Sequence, residues 1–181
     1  MLFRSVLSGN AVVISGSMTI RAKRIELHGD DFRFVECSGA VTVDDDERGL
    51  FLRTENLLYD RRDKLSRMTG PSSMEDRTNK VVIKGDYIEN DDERKVAIIQ
   101  INTRILKDTI ACRAEYARYD RTTKMLELGG SPVVRRDGDD YRAETILVNL
   151  DTEDITLVGG VSGTVIVPDK KKDAPATGGA P

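Results

Sequence analysis

The feature that most constrains this chain is internal repetition. A basic residue followed by a small one occurs at Arg21–Ala22, Arg53–Thr54, Lys84–Gly85, Arg113–Ala114 and Arg142–Ala143, so the basic residues recur at intervals of 32, 31, 29 and 29. A glycine follows 17 or 18 positions later in four copies, at Gly39, Gly70, Gly130 and Gly160, and Ile101 takes that place in the third. Self-similarity of this period marks a repeat architecture, in which each unit buries its apolar face by stacking on its neighbours.

Aligned on the basic residue, every second position forms a column. Met18, Leu50, Val81, Ile110 and Asp139 come first, then Ile20, Leu52, Ile83, Cys112 and Tyr141. The small column is Ala22, Thr54, Gly85, Ala114 and Ala143. After one skipped position come Ile25, Leu57, Ile88, Ala117 and Ile146, then Leu27, Tyr59, Asn90, Tyr119 and Val148. Alternation of period two with one apolar face is a half-buried strand. The skip would turn the strand over unless an extra residue is absorbed, so a β-bulge is expected there in every basic strand. A bend beside a column of small side chains suits a narrow corner between two sheets.

The opposite face carries the basic residues as a column of like charge. Two positions on stand Lys23, Glu55, Asp86, Glu115 and Glu144, four of the five acidic. Because the acids accompany it, a solvated salt-bridge ladder is expected in preference to a phosphate-binding stripe.

The 181 residues are 33% charged and 39% apolar, with a net charge of −3, which argues against general nucleic-acid affinity. No apolar run approaches the ~18–20 residues of a membrane helix. Secretory-signal character is absent from Met1–Arg4, but Gly9–Val13 reads like Gly39–Val43, so the chain starts in the second half of a repeat. The expectation is a longer native N-terminus, with a signal peptide, that has been removed.

In order, strands are expected at Ala11–Ser15, Ser17–Leu27 and Phe32–Val43, with turns at His28–Asp31 and Asp44–Gly49. Mid-repeat turns recur at Asp60–Asp63, Asn90–Arg94, Asp120–Thr123 and Leu150–Asp154. Pro71 marks Ser66–Met74 as an edge strand or a bulge, and Gly129–Gly130 with Pro132 suggests a kink. Residues 1–167 form the repeat domain, and 168–181, rich in Lys, Ala and Pro, read as a disordered tail.

Catalytic chemistry is not indicated. His28 lies in a turn without partners, the acidic clusters lack calcium-loop spacing, and phosphate loops, nucleophile elbows and CxxC pairs are missing, so no cofactor or metal is called for. Cys37 and Cys112 lie too many strands apart for a disulfide unless the array folds back, and Cys112 takes an inward column.

Ser8–Gly9–Asn10–Ala11–Val12–Val13 through Gly16, Ile20, Ala22 and Ile25 resembles the "GN-x-V-x-x-G-x-x-I-x-A-x-x-(I/V)" segment of the LptA/OstA-like family. Arg113–Ala114–Glu115–Tyr116–Ala117–Arg118–Tyr119–Asp120, with Leu126–Glu127–Leu128–Gly129–Gly130, is similar to that family's recurring "A-x-x-A-x-Y…L-x-G" unit. Val165–Ile166–Val167–Pro168 and the tail resemble the end of its free-standing periplasmic member. The resemblance covers residues 8–168 and implies an all-β fold, an elongated antiparallel β-jellyroll of about five and a half repeats, with two facing sheets around an apolar interior.

It further implies a periplasmic lipopolysaccharide-transport bridge, joined end to end with LptC-like and LptD-like partners that share the fold, whose interior holds lipid acyl chains. On that reading the lining falls to Ile20, Ala22, Ile25, Leu52, Leu57, Ile83, Ile88, Cys112, Ala114, Ala117, Tyr141, Ala143 and Ile146. The assembly edges fall to Val12, Val13 and Ile14 at the front and Val165, Ile166 and Val167 at the back. The alternative is a non-catalytic scaffold or filament module with a filled core. Small and polar residues in the inward columns, Thr54, Asn90, Ala117 and Asp139 among them, favour an interior open enough for a ligand.

Overall fold

The structure is a computed structural model that describes residues 3–164. The expected edge at Val165, Ile166 and Val167 and the tail from 168 lie outside the described residues. Eight long strands lead: β1 (Phe3–Ser15), β2 (Met18–Gly29), β3 (Phe34–Asp45), β4 (Leu50–Asp60), β5 (Leu65–Asp76), β6 (Val81–Asp91), β7 (Val96–Lys107) and β8 (Ile110–Asp120). Six short ones follow: β9 (Met125–Gly129), β10 (Val133–Arg136), β11 (Asp139–Arg142), β12 (Thr145–Asn149), β13 (Ile155–Val158) and β14 (Ser162–Thr164). A 3₁₀ turn at Asp30–Phe32 joins β2 to β3, and no α-helix occurs among the described residues.

Among the described residues all 14 strands belong to one open antiparallel sheet. The two sheets expected from the sequence are two halves of this one, creased along a line of bulges. Half I holds residues 18–22 and their equivalents, and half II holds residues 25–29 and theirs. The same apolar cluster draws on both halves, from Ala11 and Ile20 through Ile83 and Ile88 to Ile146 and Val148.

The crease lies where the skipped position placed it, but the extra residue does not belong to the basic strands. Gly9 and Asn10 stand against Lys23 alone, Gly39 and Ala40 against Glu55, Gly70 and Pro71 against Asp86, and Ile101 and Asn102 against Glu115. The surplus therefore sits in β1, β3, β5 and β7. These positions need a positive φ, supplied by Gly39 at 79° and Gly70 at 84°, and by Ile101 at 63° in the copy that lacks glycine. Pro71 falls inside its bulge, so its missing N–H removes no ladder bond. β5 is an interior strand paired to β4 and β6, not an edge.

The kink expected at Gly129–Gly130 is a fork. Ile110–Arg113 of β8 pairs with β10, which continues half I through β11 and β14. Tyr116–Asp120 pairs with β9, which continues half II through β12 and β13.

Hairpins on the half II side close through one device. The Asp60 carboxylate accepts from the N–H of Arg62 (3.0 Å) and Asp63 (3.2 Å), and Asp91, Asp120 and Asn149 do the same one repeat on. Each turn then donates to the previous one, as Asp92 N–H to Lys64 O (3.1 Å) and Arg121 N–H to Lys95 O (2.8 Å). The Asx side chains thus shape each turn, and these backbone bonds stack the turns in register.

Candidate functional site

The small column sits at the inner corner of the crease. Ala22, Thr54, Ala114 and Ala143 are buried there, and a Cβ added to Gly85 would stand 2.6 Å from Ile99 Cγ2. Thr54 Oγ1 and Ser72 Oγ share a hydrogen bond of 2.7 Å across the bend, which makes a hydroxyl acceptable at this depth. Ile20, Ile25, Leu52, Leu57, Ile83, Ile88, Cys112, Ala117 and Ile146 are buried between the halves, whereas Tyr141 is half-buried near the open end. Burial pushes the thiols of Cys37 and Cys112 up to about 12, so both are inert thiols, and both are unpaired.

The basic strands supply half of this lining. The other half comes from the strands between, with Met68, Met74, Ile99, Ile105, Leu126 and Leu128 all fully buried. Their signal was the same period of two, interrupted by the bulge residues.

Facing each other across the mouth opposite the crease are the two rows of hairpin turns, which form a seam. Buried polar groups collect along it: Asp45, Asp76, Asn90, Asp92 and Arg121. Arg121 Nη2 donates to Asp92 Oδ1 at 3.0 Å, and Asn90 Nδ2 donates to the same oxygen at 2.9 Å. Burial and the Asp76 carboxylate raise the Tyr119 hydroxyl, which keeps it neutral. Toward the fork the seam is bridged: Lys107 Nζ donates to Leu150 O, and Arg136 Nη1 donates to Glu153 O at 2.7 Å.

The cavity between the halves, lined by Met18, Ile20, Val43, Leu52, Leu57 and Tyr59 among others, measures about 20 Å³. That holds about one water, far below the ~300 Å³ at which ligand pockets begin. The open interior expected from the small and polar residues is not present at this cavity. The small residues serve the corner, and Asn90 lines this cavity while its Nδ2 donates to Asp92 at the seam.

Outside half I the expected salt-bridge ladder does not form. Among the described residues, Arg21, Arg53, Lys84 and Arg113 make no ion pair, and Arg142 alone of that column meets an acid, Asp140 at 3.8 Å. The reason is the bulge. The stems of Lys23, Glu55 and Glu115 pack over Gly39, Gly70 and Gly130 of the neighbouring strand, where an added Cβ would lie 2.6–3.0 Å from the nearest stem atom. The acids are held at the crease and away from the basic column.

An open antiparallel sheet, creased into two halves over a continuous apolar interior with a polar seam, is an antiparallel β-jellyroll built by repetition. The family model described as "LptA/(LptD N-terminal domain) LPS transport protein" matches residues 3–154, and the chain belongs to that family. Among solved structures the chain is similar to LptH, described as the LptA homologous periplasmic component of the lipopolysaccharide transport device from Pseudomonas aeruginosa. The identity is 14% over 83% of this chain and 95% of that one, with a TM-score of 0.37. No curated protein matches the sequence.

Proposed function

We propose that this protein is a non-catalytic periplasmic bridge that carries lipopolysaccharide, or a related outer-membrane glycolipid, with the acyl chains held between the two half-sheets. The observation that carries the reading is the single apolar cluster running from β1 to β12, within a chain of the lipopolysaccharide-transport family. Each buried CH₂ of a bound chain contributes about 0.8 kcal/mol, so a long acyl group is the natural ligand for such an interior.

Because the cavity is closed, loading requires the halves to part at the seam. From β1 to β8 the crease cannot open, since each of those strands runs through it. LptC-like and LptD-like proteins, and further copies of this chain, would extend the interior by pairing with its strand edges. The repeat domain is assigned to residues 1–167.

The small size of that cavity also favours the scaffold reading, and one experiment separates the two. A photo-crosslinker replacing Ile83 or Ile88 is expected to capture a long-chain acyl probe with an uncharged head. The same crosslinker at Glu127, exposed on the outer face of β9, is expected to capture none. Absence of capture at Ile83 and Ile88, or equal capture at Glu127, would establish the filled-core scaffold instead.

A further inference from the structure

The outer face of half I carries an uninterrupted cross-strand row: Arg21, Thr42, Arg53, Ser73, Lys84, Arg104, Arg113, Val133, Arg142. Each position lies directly opposite the next, six are cations, and none is an acid. All six are exposed, and Arg104 joins the five repeat cations as a residue that the repeat phrase did not flag. Lys84, Arg104 and Arg113 are consecutive, an arrangement that destabilises a sheet. Among the described residues none of the three has an ion-pair partner. Beside them a groove of about 390 Å³ is floored by Leu106, Ala111 and Val133 and edged by Arg135, Arg142 and the Asp140 carboxylate that pairs with both, at 2.7 and 3.8 Å.

The shape of the charge decides the ligand. The row is one residue wide and, at about 4.8 Å per strand over eight intervals, roughly 38 Å long. Acids flank it on both sides: Glu55, Asp86 and Glu115 at the crease, and Asp44, Glu75 and Asp140 toward the seam. A flat anionic membrane would press its charge onto those flanks as well. An extended acidic peptide presents same-face side chains about every 6.8 Å, out of step with cations about 4.8 or 9.6 Å apart. We infer that the row binds a linear anionic glycan, its phosphates or carboxylates seated on Lys84, Arg104 and Arg113 and its sugar faces on the apolar floor. The row lies outside the sheet and away from the seam, so this strand is separate from any lipid in the interior, and the inference does not depend on the carrier reading.

The test is titration of the full chain with a size-defined heparin oligosaccharide, at NaCl from about 50 to about 300 mM. Binding that weakens with salt is expected, with a loss on the order of tenfold or more in the triple variant Lys84→Gln, Arg104→Gln, Arg113→Gln. Removing as many charges from the outer face of half II, by Arg24→Gln, Arg67→Gln and Arg118→Gln, is expected to change affinity less than about twofold. Loading the interior with the uncharged acyl probe is expected to leave it unchanged. The single variant Arg113→Gln gives a graded loss if the triple variant does not fold. The inference is overturned if wild type does not bind at low salt, if the half I and half II variants lose affinity equally, or if poly-glutamate or phosphatidylglycerol vesicles bind as tightly as the glycan.

Discussion

Arg121 and Asp92 form an ion pair of 3.0 Å in which both side chains are nine-tenths buried, at the lip of the seam between consecutive turns. A buried charge that loses its partner is strongly destabilising. Asp92→Ala is therefore expected to cost about 3–5 kcal/mol in urea unfolding, and the double change Asp92→Leu, Arg121→Met to recover most of it. A loss under about 1 kcal/mol in the single variant would show that water reaches this pair.

The bulge positions make opposite predictions at two equivalent sites. Gly130 has a φ of 73° and Glu115 Cβ at 2.6 Å from where its own Cβ would be, so Gly130→Ala is expected to destabilise by more than about 1 kcal/mol. Ile101 holds φ 63° with a β-branched side chain that is 54% exposed, so Ile101→Gly is expected to stabilise by about 1 kcal/mol. Thermal unfolding of both variants checks the pair, and a shift of the same sign in each would contradict the bulge assignment.

The inward columns were legible because burial imposes period two on the basic strands whatever the neighbours do. Ile20, Ile83 and Ile146 could be placed from spacing alone. The owner of the extra residue could not, since a two-to-one count is a relation between strands, and the sequence displays only the phase slip in one of them. The salt-bridge ladder failed for a related reason. Glu55 and Glu115 stand two residues from their basic partners, a spacing that keeps both on one face of a regular strand, but the crease falls at the acids. Arg104 was missed because it belongs to a strand outside the repeat phrase and joins the row only through register.

Like charges directly opposite each other should repel. Arg104 faces Lys84 on one side and Arg113 on the other, so Arg104→Gln is expected to stabilise the free protein by about 0.2–1 kcal/mol at low salt. The gain should shrink as salt screens the row, and an unchanged gain at high salt would mean that packing is responsible.

Stability should also report one turn through pH. Hydrogen bonds from Arg33 hold the Asp60 carboxyl down at about 2, below its ordinary value. A carboxyl with a depressed folded pKa contributes stability that is complete above its unfolded pKa of about 3.9 and is lost as pH falls toward about 2. Asp60→Asn is expected to lower the melting temperature at pH 7 and to flatten its fall between about pH 4 and pH 2. An acid limb identical to wild type would place that dependence elsewhere.

The two ends of the sheet are unlike, and that shapes assembly. The front edge is β1, one strand crossing both halves, with Ile14 72% and Val12 48% exposed and no charge or proline in Ala11–Ser15. Among the described residues the back edge is split between β13 in half II and β14 in half I. Joining front to back is heterologous, so it need not close and can run on as a filament that continues the interior from copy to copy. Concentration-dependent, open-ended oligomers are therefore expected in light scattering. Consecutive residues of an edge strand point their N–H groups to opposite sides, so of Val12→Pro and Val13→Pro one removes a bond to β2 and the other a free donor. The second is expected to cap growth with the fold intact, and the first to destabilise β1. A strictly monomeric protein at high concentration, unchanged by either proline, would exclude assembly through this edge.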